Sequence, residues 1–107
     1  MIRQLLKNLE NLLHTSDELV YAKRVHEART SEDDDILFDF LISNDLWGGM
    51  GSIADQAGMD YNEQKKEFAQ TLVKIGEYQI SLGKTNIRTA SWVDVYKNWL
   101  KNGVNNL

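Results

Sequence analysis

The densest run of chemistry-bearing side chains is Glu32-Asp33-Asp34-Asp35, with Asp39 one helical turn beyond it. Carboxylates grouped in this way suit two tasks, holding a divalent cation or drawing in a basic partner. A calcium loop needs oxygen ligands at alternate positions, a glycine at its sixth position and a late glutamate. After Asp35 the chain turns apolar instead. Asp35 and Asp39 share a helix face, so a paired carboxylate from another helix would complete a magnesium site. A carboxylate-based metal-dependent enzyme is the weakest of three functional readings. In the plainer account the acids open a helix, each complementing the positive end of its dipole by about 0.3–1 kcal/mol, and then line a solvated stripe.

His14 and His26 are the two histidines, twelve positions apart with no ligand spacing around them. General acid–base chemistry by His26 would need Asp35 or Asp39 packed beside it. His14 falls at a predicted helix end, where the dipole favours a protonated imidazole. No serine stands in a nucleophile-elbow setting, and the absence of cysteine removes thiolate catalysis, disulfides and thiolate zinc sites together. The sequence therefore names no catalytic residue, no metal ligand and no cofactor.

Two short motifs resemble nucleic-acid or nucleotide sites. Ile53-Ala54-Asp55-Gln56-Ala57-Gly58-Met59 keeps the small-residue-to-glycine spacing of a helix-turn-helix. A DNA-binding regulator built on residues 52–70 is thus the second reading. Its recognition helix would need apolar docking residues where Gln64, Lys65 and Glu67 stand, and only Phe68 fits. It would also open on Asp60-Tyr61-Asn62-Glu63, setting carboxylates against phosphates. A short helix stopped by Gly58 is the plainer account. Gly83-Lys84-Thr85 copies the tail of a phosphate-binding loop, but Tyr78 occupies the place of its first glycine and a helix precedes it where a strand is required.

Asn44-Asp45-Leu46-Trp47-Gly48-Gly49-Met50-Gly51 is the least ordinary stretch. Trp47 either folds inward as a plug for its loop or projects as an anchor for a partner. Burial is expected, because an exposed indole leaves apolar area in water. The candidate partner-binding residues are Asp45, Trp47, Gly48, Gly49, Met50 and Gly51.

The elements that position these groups are all helical. Ile2, Leu5, Leu6, Leu9, Leu12 and Leu13 recur at helical spacing. Thr15-Ser16-Asp17-Glu18 reads as a capping box opening a second helix to about Arg29, with Leu19, Val20, Ala22, Val25 and Ala28 inward. Ser31 starts a third helix whose Ile36, Leu37, Phe38, Phe40, Leu41 and Ile42 are apolar nearly all round, which predicts the centre of the core. A short helix covers 52–57. The longest runs from Asp60 to Leu82, with Phe68, Ala69, Leu72, Val73, Ile75, Gly76 and Ile80 inward, and Gly83 stops it. The last begins near Thr89 or Ser91, carries Trp92, Val93, Tyr96, Trp99 and Leu100, and ends at Gly103, with 105–107 frayed. No two-residue alternation competes. The expected fold is all-α, one domain over 1–107, an irregular bundle of about five main helices plus one short helix.

The chain has 107 residues, 42% of them hydrophobic, and a net charge of −4, which suits one core and argues against disorder. Residues 15–60 hold eleven acids against Lys23, Arg24 and Arg29, a net −8, whereas 61–107 hold seven bases against four acids, a net +3. That distribution argues against a nucleic-acid surface, and it permits a basic protein partner or a homo-oligomer without requiring either. The first residues lack the form of a signal peptide, and no stretch reaches the roughly 18 apolar residues of a membrane span. A cytoplasmic location without membrane association is expected. The leading function is a small acidic interaction module, of which an inhibitor or immunity-type protein is one instance, acting by surface complementarity with a macromolecular partner.

Overall fold

A computed structural model describes residues 1–56 and 62–102, with side chains placed outside 56 and 62–64. The helices are α1 (Ile2–Thr15), α2 (Leu19–Thr30), α3 (Asp34–Leu41), α4 (Ile53–Gln56), α5 (Asn62–Leu82) and α6 (Thr89–Asn102). The fold is an all-α bundle of five main helices and one short one, as the periodicity predicts, and no strand occurs among the described residues. The expected stop at Gly58, the cap at Asp60 and Glu63, the stop at Gly103 and the frayed 105–107 lie outside the described residues.

The leucine stripe of α1 turns fully inward, with Leu6, Leu9 and Leu13 sealed from solvent. Its end differs from the capping-box expectation. Thr15 is the last residue of α1, and its hydroxyl donates back to the Asn11 carbonyl at 2.9 Å. Asp17 then takes a left-handed conformation (φ 61°), and the Glu18 amide donates to the Leu13 carbonyl at 2.8 Å. Thr15 to Asp17 thus close α1, and Glu18 is the N-cap of α2 through its carbonyl, which accepts from the Ala22 amide at 2.9 Å, with no side-chain cap of the kind a capping box supplies. Because α2 begins at Leu19, its inward face carries Ala22, Val25 and Ala28, while Leu19 and Val20 stay exposed.

The centre of the molecule is α5, not α3. At roughly 1.5 Å per residue its 21 residues span about 31 Å, most of the 40 Å long axis. It packs against both α1 and α6, and Phe68, Leu72 and Ile75 are fully buried. Ile80, expected inward, is exposed. Gly76 lets the neighbours close in: a Cβ there would lie 2.2 Å from Val93 Cγ2 on α6 and 3.4 Å from the Trp47 ring. The α1–α2 and α5–α6 hairpins thus meet along α1 and α5. The 42–52 segment and α3 close one end of that assembly.

Helix α3 has only eight residues and lies against α2. Asp33 caps it, its carboxylate accepting from the Asp35 amide at 2.9 Å, so the cap lies two residues past the expected Ser31. Leu37 and Leu41 are buried, Phe38 and Phe40 are half-buried, and Ile36 and Ile42 are exposed. The expectation that Phe40 is central fails with it. A two-turn helix at the edge of a bundle has room to bury one narrow stripe, and its other apolar side chains are left facing out.

Candidate protein-binding face around helix α3

Three groups of polar side chains organise the surface and the core. The first lies between α1 and α2. Glu10 stands among leucines and is 5% exposed. Its Oε1 accepts from Arg29 Nε at 2.8 Å, and its Oε2 lies 3.1 Å from His26 Nδ1 and 3.9 Å from His14 Nε2. Arg29 Nη2 also comes within 3.2 Å of His26 Nδ1. One nitrogen cannot accept from Arg29 and donate to Glu10 together, and the carboxylate favours a proton on Nδ1. Burial pushes the Glu10 pKa up, but the hydrogen bonds and charges of Arg29 and His26 outweigh it and hold the carboxyl below its ordinary value. Arg3 extends the group to α3, bonding the Arg29 carbonyl and pairing with Asp34 at 3.1 Å. The pairing of His26 with Asp35 or Asp39 that acid–base chemistry would need is not formed: the partner of His26 is Glu10, whose two oxygens are both engaged.

The second group locks the Trp47 loop. Trp47 is 0% exposed, and its indole Nε1 donates to Gln79 Oε1 at 2.7 Å. Gln79, itself 0% exposed, donates from Nε2 to the Leu41 carbonyl at 2.8 Å and the Lys84 carbonyl at 2.9 Å. Asn86 Nδ2 reaches the carbonyls of Ile42, Ser43 and Trp47 at 3.0, 3.2 and 3.0 Å. Trp92 Nε1 donates to the Gly48 carbonyl at 2.8 Å. Gly48 has no room for a side chain, since a Cβ would sit 2.2 Å from the Asn44 carbonyl oxygen. Tyr96, pushed well above its ordinary pKa by burial and then by Asp55, donates its hydroxyl to the Ala54 carbonyl.

Trp47 is therefore a plug, as burial energetics predicts, and the alternative of a projecting anchor does not fit its 0% exposure. Gly48 is buried beside it, and Gly49 lies under Arg88. Asp45 is half-exposed and paired with Arg24, Met50 is 95% exposed, and the Gly51 carbonyl accepts from the Tyr21 hydroxyl. Of the six candidate residues, Asp45, Met50 and Gly51 are exposed, the first and last of them engaged by Arg24 and Tyr21.

The third group joins the expected solvated acids of α3 to two isoleucines expected in the core. The outward stripe of α3 carries Asp35, Ile36, Asp39 and Ile42, so carboxylates and isoleucines share one exposed ridge. A groove runs along each side of it. The first, about 280 Å³, lies toward α2, with Ala28, Ile36 and Phe40 as apolar wall and Arg24, Glu27, Asp39 and Asp45 around it. The second, about 520 Å³, lies toward the end of α5 and is lined by Asp35, Phe38, Asp39, Ile42, Gly83, Lys84 and Thr85. Asp39 belongs to both. Among the described residues no trio of histidine and carboxylate side chains is arranged to hold a metal ion. The lysine of the phosphate-loop look-alike instead lies over an aromatic ring, its Nζ 5.3 Å from the Phe38 centroid. The helix-turn-helix reading turns on Ala57 to Tyr61, outside the described residues. No described helix is long and apolar enough to cross a membrane.

Comparison with known family models, with characterised proteins and with solved structures finds no match for this chain.

Proposed function

We propose that this chain is a cytoplasmic protein–protein interaction module that takes a basic partner on the face formed by α2, α3 and the Asp45 loop. The observation that carries this reading is the α3 ridge, where Ile36 (52% exposed) and, at the helix end, Ile42 share an exposed face with Asp35 and Asp39 and have a groove on either side. An isoleucine held in water among carboxylates adds nothing to the stability of the free molecule. It gives a partner apolar area to bury, and the acids steer a basic surface toward it and raise the association rate. Glu27, Asp34 and Glu32 enlarge the same negative field. An inhibitor or immunity-type protein is one instance of such a module.

The test is capture of a partner with wild-type protein and with Asp35→Lys/Asp39→Lys. Both positions are exposed, so circular dichroism of the variant should match wild type, with thermal unfolding lowered only by the loss of the Asp35 dipole complement, about 0.3–1 kcal/mol. Binding should weaken tenfold or more, and wild-type binding should weaken with added salt. A partner that binds both proteins equally would overturn the reading. In the same preparation duplex DNA should show no micromolar, salt-sensitive shift; such a shift would promote the regulator built on residues 52–70.

A further inference from the structure

We infer that the larger groove, between α3 and the end of α5, is a seat for a single cationic side chain of the partner, a lysine or an arginine, and that Lys84 holds this seat in the free protein. The inference rests on the proposed docking face and adds a specific site to it. Three observations carry it. The groove has an aromatic wall, Phe38, half-buried and packed against the core. A cation already lies on that ring, the Lys84 ammonium at 5.3 Å from its centroid, a distance at which the ring quadrupole attracts positive charge. The two carboxylates at the rim, Asp35 and Asp39, are engaged by no ion pair or side-chain hydrogen bond among the described residues. An aromatic face beside two uncommitted carboxylates answers both halves of a Lys or Arg side chain, its apolar stem and its charged head.

Lys84 is suited to being displaced. Its side chain is exposed, whereas its backbone carbonyl is the part of the residue that the core uses, through Gln79 Nε2. Lys84→Gln therefore removes the internal cation and leaves that hydrogen bond standing. An incoming cation would then meet the ring and both carboxylates with no like charge to repel it.

The probes are N-acetyl-lysine amide, N-acetyl-arginine amide and N-acetyl-norleucine amide, the last keeping the stem and lacking the charge. Each is titrated into the full chain while backbone amide shifts are followed. The two cations should shift residues 35–42 and 83–85 saturably, with norleucine amide at least fivefold weaker. Lys84→Gln should tighten cation binding about threefold to tenfold, and Phe38→Leu should abolish that gain while the protein stays folded by circular dichroism. Equal shifts from norleucine amide would overturn the seat, as would the absence of saturation in Lys84→Gln or a gain that survives Phe38→Leu. A captured partner that depends on Asp35 and Asp39, in a protein whose probes never saturate, would remove the seat while leaving the docking face intact.

Discussion

Gln79 and Glu10 are both polar residues set into apolar stripes, and they are handled in opposite ways. Gln79 is neutral, and its partners are the buried Trp47 indole, the buried Leu41 carbonyl and the part-buried Lys84 carbonyl. Glu10 is charged, and its partners Arg29, His26 and His14 extend toward water, with side-chain exposures of 19%, 53% and 56%. A buried amide can be satisfied by the backbone alone, whereas a buried carboxylate needs cations that themselves stay hydrated. The Gln79 site should thus be indifferent to pH and salt, and the Glu10 site should respond to pH.

The largest effect expected on this comparison is at the Gln79 site. Trp47→Ala should lower stability by about 3–5 kcal/mol, as removal of a buried aromatic does, measured by urea unfolding. Gln79→Leu keeps the volume but strands the indole N–H and two carbonyls, each with a desolvation penalty of about 1–3 kcal/mol. A net loss of about 2–4 kcal/mol is expected, unchanged between pH 5 and pH 8. If the loss is below about 1 kcal/mol, or varies with pH, the two sites are not distinct in kind.

At the Glu10 site, Glu10→Gln should lower stability at pH 7 by about 1–3 kcal/mol, the range for a buried charged partner lost. Folding lowers the Glu10 pKa from its ordinary 4.5. Its contribution is therefore fully present above that value and disappears as pH falls through the lowered folded value. Wild type and Glu10→Gln should converge in stability toward low pH. Parallel curves would show that Glu10 acts through packing alone.

The smallest effect is a gain. Asp17 holds a left-handed conformation that disfavours a side chain by about 1 kcal/mol. Asp17→Gly should raise the unfolding midpoint correspondingly, and a fall would mean that the Asp17 carboxylate supports the turn.

Both polar sites were legible in register though not in residue type. Leu6, Leu9, Glu10 and Leu13 follow helical spacing, as do Phe68, Leu72, Ile75 and Gln79. Reading the stripe by position rather than by apolarity would have placed Glu10 and Gln79 inside. The helices themselves were legible because leucines on α1 and aromatics on α6 repeat at the helical period. The plug role of Trp47 followed from the size of its ring. What the sequence misplaced was α3, where apolar residues on all sides were read as burial on all sides. Only packing reveals that Ile36 and Ile42 face out, and that outcome moves the candidate site from the glycine loop to the helix before it. The Thr15–Glu18 turn failed for a similar reason: residues able to start a helix also serve at the end of one.

Trp47 and Gln79 join segments 32 positions apart, and Gln79 meets the Leu41 carbonyl across 38. The α1–α2 and α5–α6 hairpins, by contrast, are built from sequence neighbours. Local hairpins close early because little chain entropy is lost in bringing their halves together. The segment that carries α3 and the plug is then expected to dock last and to leave first. Substitutions at Trp47 or Gln79 should accelerate unfolding while leaving the folding rate nearly unchanged. In hydrogen exchange the amides of α3 should open at lower free energy than those of α5. On this expectation the proposed binding face rides on the part of the molecule that opens first, so a partner seated there should slow unfolding of the whole chain.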